Sequence, residues 1–250
     1  MVPGLNELQE KYGEQGLVVV GVTNESAKLV DSSITKQNHT YPIAMVSGGS
    51  ADAAYGVRGF PTVVLVGPDG NVLTTKERHP ESQIVEALKS VVLLPPLEGK
   101  QYKSINKAVA KKKLGAAWKS ATSMLAKNPE DAQLTGFLES LKASFDGSFQ
   151  GAISQTEEGA YGGAVETLEK LAKRYKGYPP AEEALDKVKE IKKNPAASDD
   201  LKAHAMLSKA RSEFSKGKKA NREKGRSLCE KILKSYPETP TAKKAQAMLR

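Results

Sequence analysis

The 250-residue chain holds one cysteine, three histidines and one tryptophan, and only 6% of its residues are aromatic. A single cysteine, Cys229, cannot close an internal disulfide, and it excludes any C-x-x-C pair or cysteine-rich zinc site within these residues. His39, His79 and His204 lie far apart without ligand spacing, so no metal site is expected. No run of about 18 apolar residues occurs, so no membrane span is expected. The first apolar run, residues 17–20, is too short to read as a secretory leader. No serine–histidine–acid arrangement or phosphate loop is readable, and no cofactor is implied.

What is present is a globular composition, 39% hydrophobic and 27% charged. The net charge of +9 is unevenly spread. Up to Pro96 there are 7 Lys and Arg against 10 Asp and Glu, a charge of −3; the remainder has 31 against 19, or +12. Such an asymmetry predicts two domains with different surfaces, a first over 1–94, a linker over 95–100 and a second over 101–250.

The first part alternates helix and strand. Pro3 opens a helix whose Leu5, Leu8 and Tyr12 recur at helical spacing until Gly13 and Gly16 end it. Residues 17–22 (LVVVGV) predict a strand buried on both faces, and Asn24 or Ser26 caps a helix reaching about Asn38. Residues 41–46 form a weaker strand, at an edge because of Pro42. Residues 63–66 and 72–75 flank Gly67-Pro68-Asp69-Gly70, which predicts a hairpin with Asp69 as a turn residue rather than a catalytic acid. Pro80 opens a helix through Val92 with Ile84, Leu88 and Val91 on one face.

Beyond Pro95-Pro96 the pattern is almost wholly helical. Breaks near residues 128–129, 147–151, 159–163, 177–180, 194–195 and 237–240 predict about seven helices, with Asp131, Ser198 and Thr239 as N-caps. Residues 169–185 (EKLAKRYKGYPPAEEAL) and 230–246 (EKILKSYPETPTAKKAQ) repeat at an offset of 61, aligning Tyr175 with Tyr236 and Pro179 with Pro240. Residues 121–132 form a looser third copy.

The lysine runs at 111–113, 192–193 and 216–219 read as solvated helix faces, because acids are interspersed and no aromatic–basic motif accompanies them. Nucleic acid is therefore disfavoured as a partner; an acidic surface or an anionic membrane is the second choice. Trp118, Phe137, Phe145, Tyr161 and Phe214 read as core, Asp199-Asp200 as compensation of a helix dipole, and Cys229 as a small buried hydrophobe.

Residues 2–21 (VPGLNELQEKYGEQGLVVVG) and 55–72 (YGVRGFPTVVLVGPDGNV), with Tyr41-Pro42 between them, resemble the thioredoxin-like fold and in particular the TlpA-like extracytoplasmic thiol–disulfide oxidoreductases. The fold class implied is an incomplete α/β thioredoxin-like domain followed by an all-α domain similar to tetratricopeptide repeats. The resemblance implies that Pro61 is the family's cis-proline and that Phe60 offers backbone to an extended substrate. Clients would be protein thiols or disulfides, and a protein partner would bind the helical domain. The location implied is extracytoplasmic.

In the family a W-C-x-x-C segment sits just ahead of the position of Pro3-Gly4-Leu5, so both cysteines, and the strand that feeds them, would precede Met1. That strand would lie between residues 17–22 and 62–66. The expectation is a chain that starts inside the domain and performs no dithiol chemistry itself. A non-catalytic protein-binding scaffold is the alternative, and a peroxiredoxin-like peroxidase a weaker one.

Overall fold

Proline and glycine punctuate the chain largely where their backbone preferences require. The computed structural model describes residues 1–46, 50–55, 57, 59–68, 72–76, 81–89, 91–216 and 218–249. Two units emerge, one of Met1–Val91 with Ala203–Arg250 and the other of Val92–Lys202.

The α/β part runs α1 (Val2–Tyr12), β1 (Gly21–Thr23), α2 (Ala27–Gln37), β2 (Ile43–Met45), α3 (Ser50–Tyr55), β3 (Val63–Val66), β4 (Val72–Lys76) and α4 (Glu81–Leu88). Helix α1 takes Pro3 in its first turn and closes through a 3-10 turn at Gly13–Gln15, with Gly16 left-handed at φ 104°. Ser26 is the N-cap of α2. β1 and β2 pair in parallel, Gly21 opposite Ile43; β3 and β4 pair antiparallel, Val63 opposite Lys76, with an irregularity after Leu65. The predicted hairpin is thus present, while Asp69, Gly70 and Pro80 lie outside the described residues. Buried Tyr12, Leu65 and Ile84 join α1, β3 and α4 into one apolar cluster, with Leu8, Leu17 and Leu88 against it.

Two expectations for this part need correction. Residues 17–22 are not a strand buried on both faces. The ladder starts only at Gly21, and Val18, Val20 and Val22 are 70%, 49% and 51% exposed. Among the described residues β1 has a strand neighbour on one side only, where Gly21 N–H donates to Pro42 O (2.9 Å) and Val46 N–H to Thr23 O (2.8 Å). Ahead of it the Gln9 side chain stands in for a strand: its Oε1 accepts from Val19 N–H (2.8 Å) and its Nε2 donates to Leu17 O (3.4 Å). The last helix, α4, ends at Leu88 rather than Val92, closing with Val91 N–H to Leu88 O at 3.0 Å. The β-branched pair Val91-Val92 is poorly suited to extend it.

Among the described residues eight helices follow residue 100, rather than seven. They are α5 (Lys103–Ala110), α6 (Leu114–Leu125), α7 (Ala132–Glu157), α8 (Tyr161–Arg174), α9 (Ala181–Lys193), α10 (Ser198–Ser215), α11 (Lys219–Ser235) and α12 (Pro240–Leu249). The expected break at 147–151 is absent. Helix α7 runs 26 residues straight through Gly147 and Gly151. Each glycine costs a helix about 1 kcal/mol, which burial of Phe137, Leu141, Phe145 and Ala152 on the same helix offsets. A break falls instead inside the lysine run at 111–113, and α10 ends at Ser215 with α11 starting at Lys219. In that run Lys112 is left-handed (φ 55°), and Lys113 N–H reaches back to Ala108 O at 2.9 Å, the Schellman closure that glycine usually provides.

Asp131 caps α7 by accepting from Leu134 N–H (3.1 Å), and Thr239 Oγ1 accepts from Ala242 N–H (3.2 Å) at the start of α12. Ser198 is not a cap: a 3-10 turn, Pro195–Ala197, precedes α10 and is itself capped by Asn194.

The three sequence copies form one structural unit, a helix, a short turn and a helix. In the turn after α6, Asn128 N–H donates to Leu125 O and Asp131 N–H to Asn128 O, both at 3.2 Å. After α8, Tyr178 donates to Tyr175 O (2.8 Å) and Ala181 to Tyr178 O (2.9 Å). After α11, Thr239 donates to Tyr236 O (3.2 Å) and Ala242 to Thr239 O (3.0 Å). Pro129, Pro179 and Pro240 occupy the same place in all three. Consecutive helices α5 to α9 pack on one another, and α11 packs on α12. Ala117, Ala121, Ala184 and Ala245 are fully buried where the helices approach.

Candidate functional site

The site the sequence points to is the loop that feeds β3. Thr62 Oγ1–H donates to Gly59 O at 2.7 Å, closing a tight turn around Phe60 and Pro61. The Phe60–Pro61 bond is cis, as the resemblance implies. Pro61 is exposed and the Phe60 ring is 75% exposed, the most exposed large apolar side chain among the described residues. Val63 begins β3 directly after Thr62, so the hairpin register with β4 sets where the loop stands.

Helix α1 is held by side chains that sequence reasoning did not single out. Asn6 Oδ1 accepts from Thr40 N–H (3.0 Å) and its Nδ2 donates to Asn38 O (2.7 Å). Glu81, which opens α4, accepts from Lys11 Nζ at 2.7 Å and from the Tyr12 hydroxyl. Hydrogen bonds from Lys11, then from Tyr12, hold the Glu81 carboxyl below its usual range, and the same contact raises Lys11. A polar side chain early in a helix whose other face is apolar is a weak signal, which is why these clamps were not legible.

Cys229 is remote from redox chemistry in kind as well as in sequence. It is fully buried in α11, and burial pushes its thiol up to about 11. A thiol held protonated and shielded is a poor nucleophile. Among the described residues no group of three or more His, Cys, Asp or Glu is placed to hold a metal ion. No helix among the described residues is long and apolar enough to cross a membrane.

In the helical part, Phe137, Phe145 and Phe214 are buried, with Trp118 and Tyr161 packed against the core. Phe145 stacks edge-on against Tyr175 and Tyr178, both at 5.2–5.3 Å between ring centres. Asp199 and Asp200 stand in the first turn of α10, and buried Asp200 accepts from Gly162 N–H at 2.8 Å. The closest approach was also missed: Gly115 of α6 lies against the backbone carbonyls of Tyr175 and Lys176.

The α/β order and the cis-proline loop are consistent with a thioredoxin-like part, joined to a region that is helical throughout among the described residues. Comparison with known proteins gives that class a particular counterpart, the thiol-disulfide oxidoreductase ResA. The chain is 30% identical over 92 residues to ResA of Bacillus thuringiensis subsp. konkukian, a match covering 36% of this chain and 53% of the relative. The figures are the same for ResA of Bacillus cereus. For Halalkalibacterium halodurans ResA the identity is 26% over 92 residues, covering 36% of this chain and 52% of the relative. The chain thus spans about half the length of the curated relatives it matches. No family model matches it, and no solved structure does. The likeness supports a thioredoxin-like domain over the matched residues.

Proposed function

We propose that residues 1–94 are the client-facing part of a TlpA-like thiol–disulfide oxidoreductase and that residues 101–250, after a linker at 95–100, are a tetratricopeptide-like extension that binds protein. The observation that carries this reading is the 92-residue likeness to ResA. In thiol–disulfide exchange a thiolate attacks one sulfur of a client disulfide, a mixed disulfide forms, and a second thiol resolves it. No such pair occurs among these 250 residues, whose one cysteine is buried. This chain's share is therefore recognition. An extended client lies along the backbone at Phe60 and Pro61, and the exposed Phe60 ring covers its apolar side chains. The three hairpins with a common turn support the repeat reading of the helical part.

A second reading, a non-catalytic protein-binding scaffold, is favoured by the single buried cysteine. In both readings Phe60 binds an extended polypeptide. Binding of labelled, reduced insulin B chain to the full chain, followed by fluorescence anisotropy, tests this. Phe60→Ala is expected to weaken binding about tenfold, the scale of one well-packed aromatic contact, while Cys229→Ala leaves it unchanged. Equal binding by Phe60→Ala refutes the placement of the client.

A further inference from the structure

The hairpins α8–α9 and α11–α12 share a turn and a register yet differ in charge. Residues 161–193 carry eight Lys and Arg against six Asp and Glu, or +2; residues 219–249 carry eight against three, or +5. In the first hairpin four of the eight cations pair: Lys170 with Glu166 (2.5 Å), Lys192 with Glu169 (2.7 Å), Lys187 with Glu190 (2.8 Å) and Lys189 with Asp186 (2.7 Å). In the second, Lys219, Arg226, Lys231, Lys234 and Lys243 are exposed, and none forms an ion pair among the described residues. The register also shows an inversion. Glu182 and Glu183 open α9, where carboxylates suit the positive helix end, and the aligned residues Lys243 and Lys244 stand one turn into α12.

Beside them the hairpin has a concave feature of mixed polar and apolar lining. A cleft of about 380 Å³ is lined by Leu233, Pro237, Ala242, Lys243, Gln246 and Ala247. No large apolar side chain of this hairpin is exposed, so nothing projects to enter a bilayer. Tyr236, its one aromatic residue, is half-buried against the apolar cluster, so the hairpin has no series of exposed rings on which successive bases could stack. A cleft that takes one apolar side chain within a field of lysines fits a polypeptide better than a flat lipid surface or a nucleic acid.

We propose that α11–α12 docks an extended acidic protein segment, one branched apolar side chain entering the cleft and flanking carboxylates meeting Lys243 and its neighbours. This rests on reading the helical part as protein-binding. The test uses the full chain and a fluorescein-labelled peptide of alternating Glu and Ser with one central Leu. Beside it run the same peptide with Ser for Leu, a Lys-for-Glu version, vesicles of phosphatidylserine and phosphatidylcholine in equal parts, and single-stranded DNA.

The acidic Leu peptide is expected to bind, more weakly as salt rises, with the Leu→Ser peptide several-fold weaker. Lys243→Glu with Lys244→Glu is expected to lower affinity about tenfold or more, without changing insulin B-chain binding. Ala247→Trp fills the cleft from an exposed position, leaves the charge intact, and is expected to weaken binding as well. Tighter binding of vesicles or DNA than of the acidic peptide overturns the proposal, as does indifference to both variants. Equal binding of acidic and basic peptides removes the acidic-segment inference and leaves the protein-binding reading standing; binding of no peptide removes both.

Discussion

Replacing Gly115 by alanine sets two opposed effects against each other at one atom. Alanine is the better helix former by about 1 kcal/mol, and α6 would gain that much. The new Cβ, however, would lie 2.1 Å from the carbonyl oxygen of Lys176 and 2.6 Å from that of Tyr175. Both are backbone atoms, and the turn that carries them is doubly held. Tyr175 N–H donates to Leu171 O at 2.9 Å, and Tyr175 O accepts from Tyr178 N–H at 2.8 Å. The Tyr175 side chain is 1% exposed among Phe145 and Tyr178, so the turn cannot swing outward without opening the aromatic cluster. Relief therefore requires α6 and the turn to separate, and overpacking of this kind costs about 1–3 kcal/mol, occasionally more. The clash wins, and Gly115→Ala is expected to destabilise by about 2 kcal/mol. Gly147, in the interior of α7, is the control: nothing lies within 4 Å of its Cβ position, so Gly147→Ala is expected to stabilise by up to about 1 kcal/mol. Urea unfolding of the full chain, followed by circular dichroism, reads both. A Gly115→Ala chain as stable as its parent, or a Gly147→Ala chain that loses as much, refutes the packing argument.

The cap of α7 gives a smaller effect. Asp131→Ala loses the bond to Leu134 N–H and is expected to cost about 1 kcal/mol in the same assay. Cys229 makes stability fall on the alkaline side. Its folded thiol titrates at about 11, above the ordinary 9.0, so between those values the native state holds a proton that the unfolded state has released. Stability should decline there by about 1.4 kcal/mol per pH unit from this group, and Cys229→Ala should remove that slope; identical pH profiles for the two chains would refute the burial argument. Glu81 acts on the acid side with the opposite sign. Its carboxyl is held below 4.5, so its contribution is present above that pH and is lost as the pH falls through the folded value. Acid unfolding is expected to be shallower in Glu81→Gln than in the parent, by a small margin because the ion pair is exposed.

The sequence by itself determined the punctuation of this protein and much of its polarity. Gly16, Gly159 and Gly177 take positive φ at element ends, Asp131 and Thr239 cap helices, and Pro129, Pro179 and Pro240 mark one repeated turn. The loop at Phe60 and Pro61 was legible too, through its resemblance to a known family. These signals act within a few residues, so no distant partner is needed to read them. Tertiary structure alone decided which glycines break a helix. Gly147 and Gly151 continue α7 because that helix buries a long apolar face, whereas Lys112 ends α5 in a conformation usual for glycine. It also decided that residues 18–22 expose alternate valines, since a strand is buried on both faces only if partners cover both. Gly115, Gln9 and Asp200 belong with these, each defined by a backbone atom distant in the chain. Hydrophobic periodicity says which side chains seek burial; only the packing of distant segments says which of them find it.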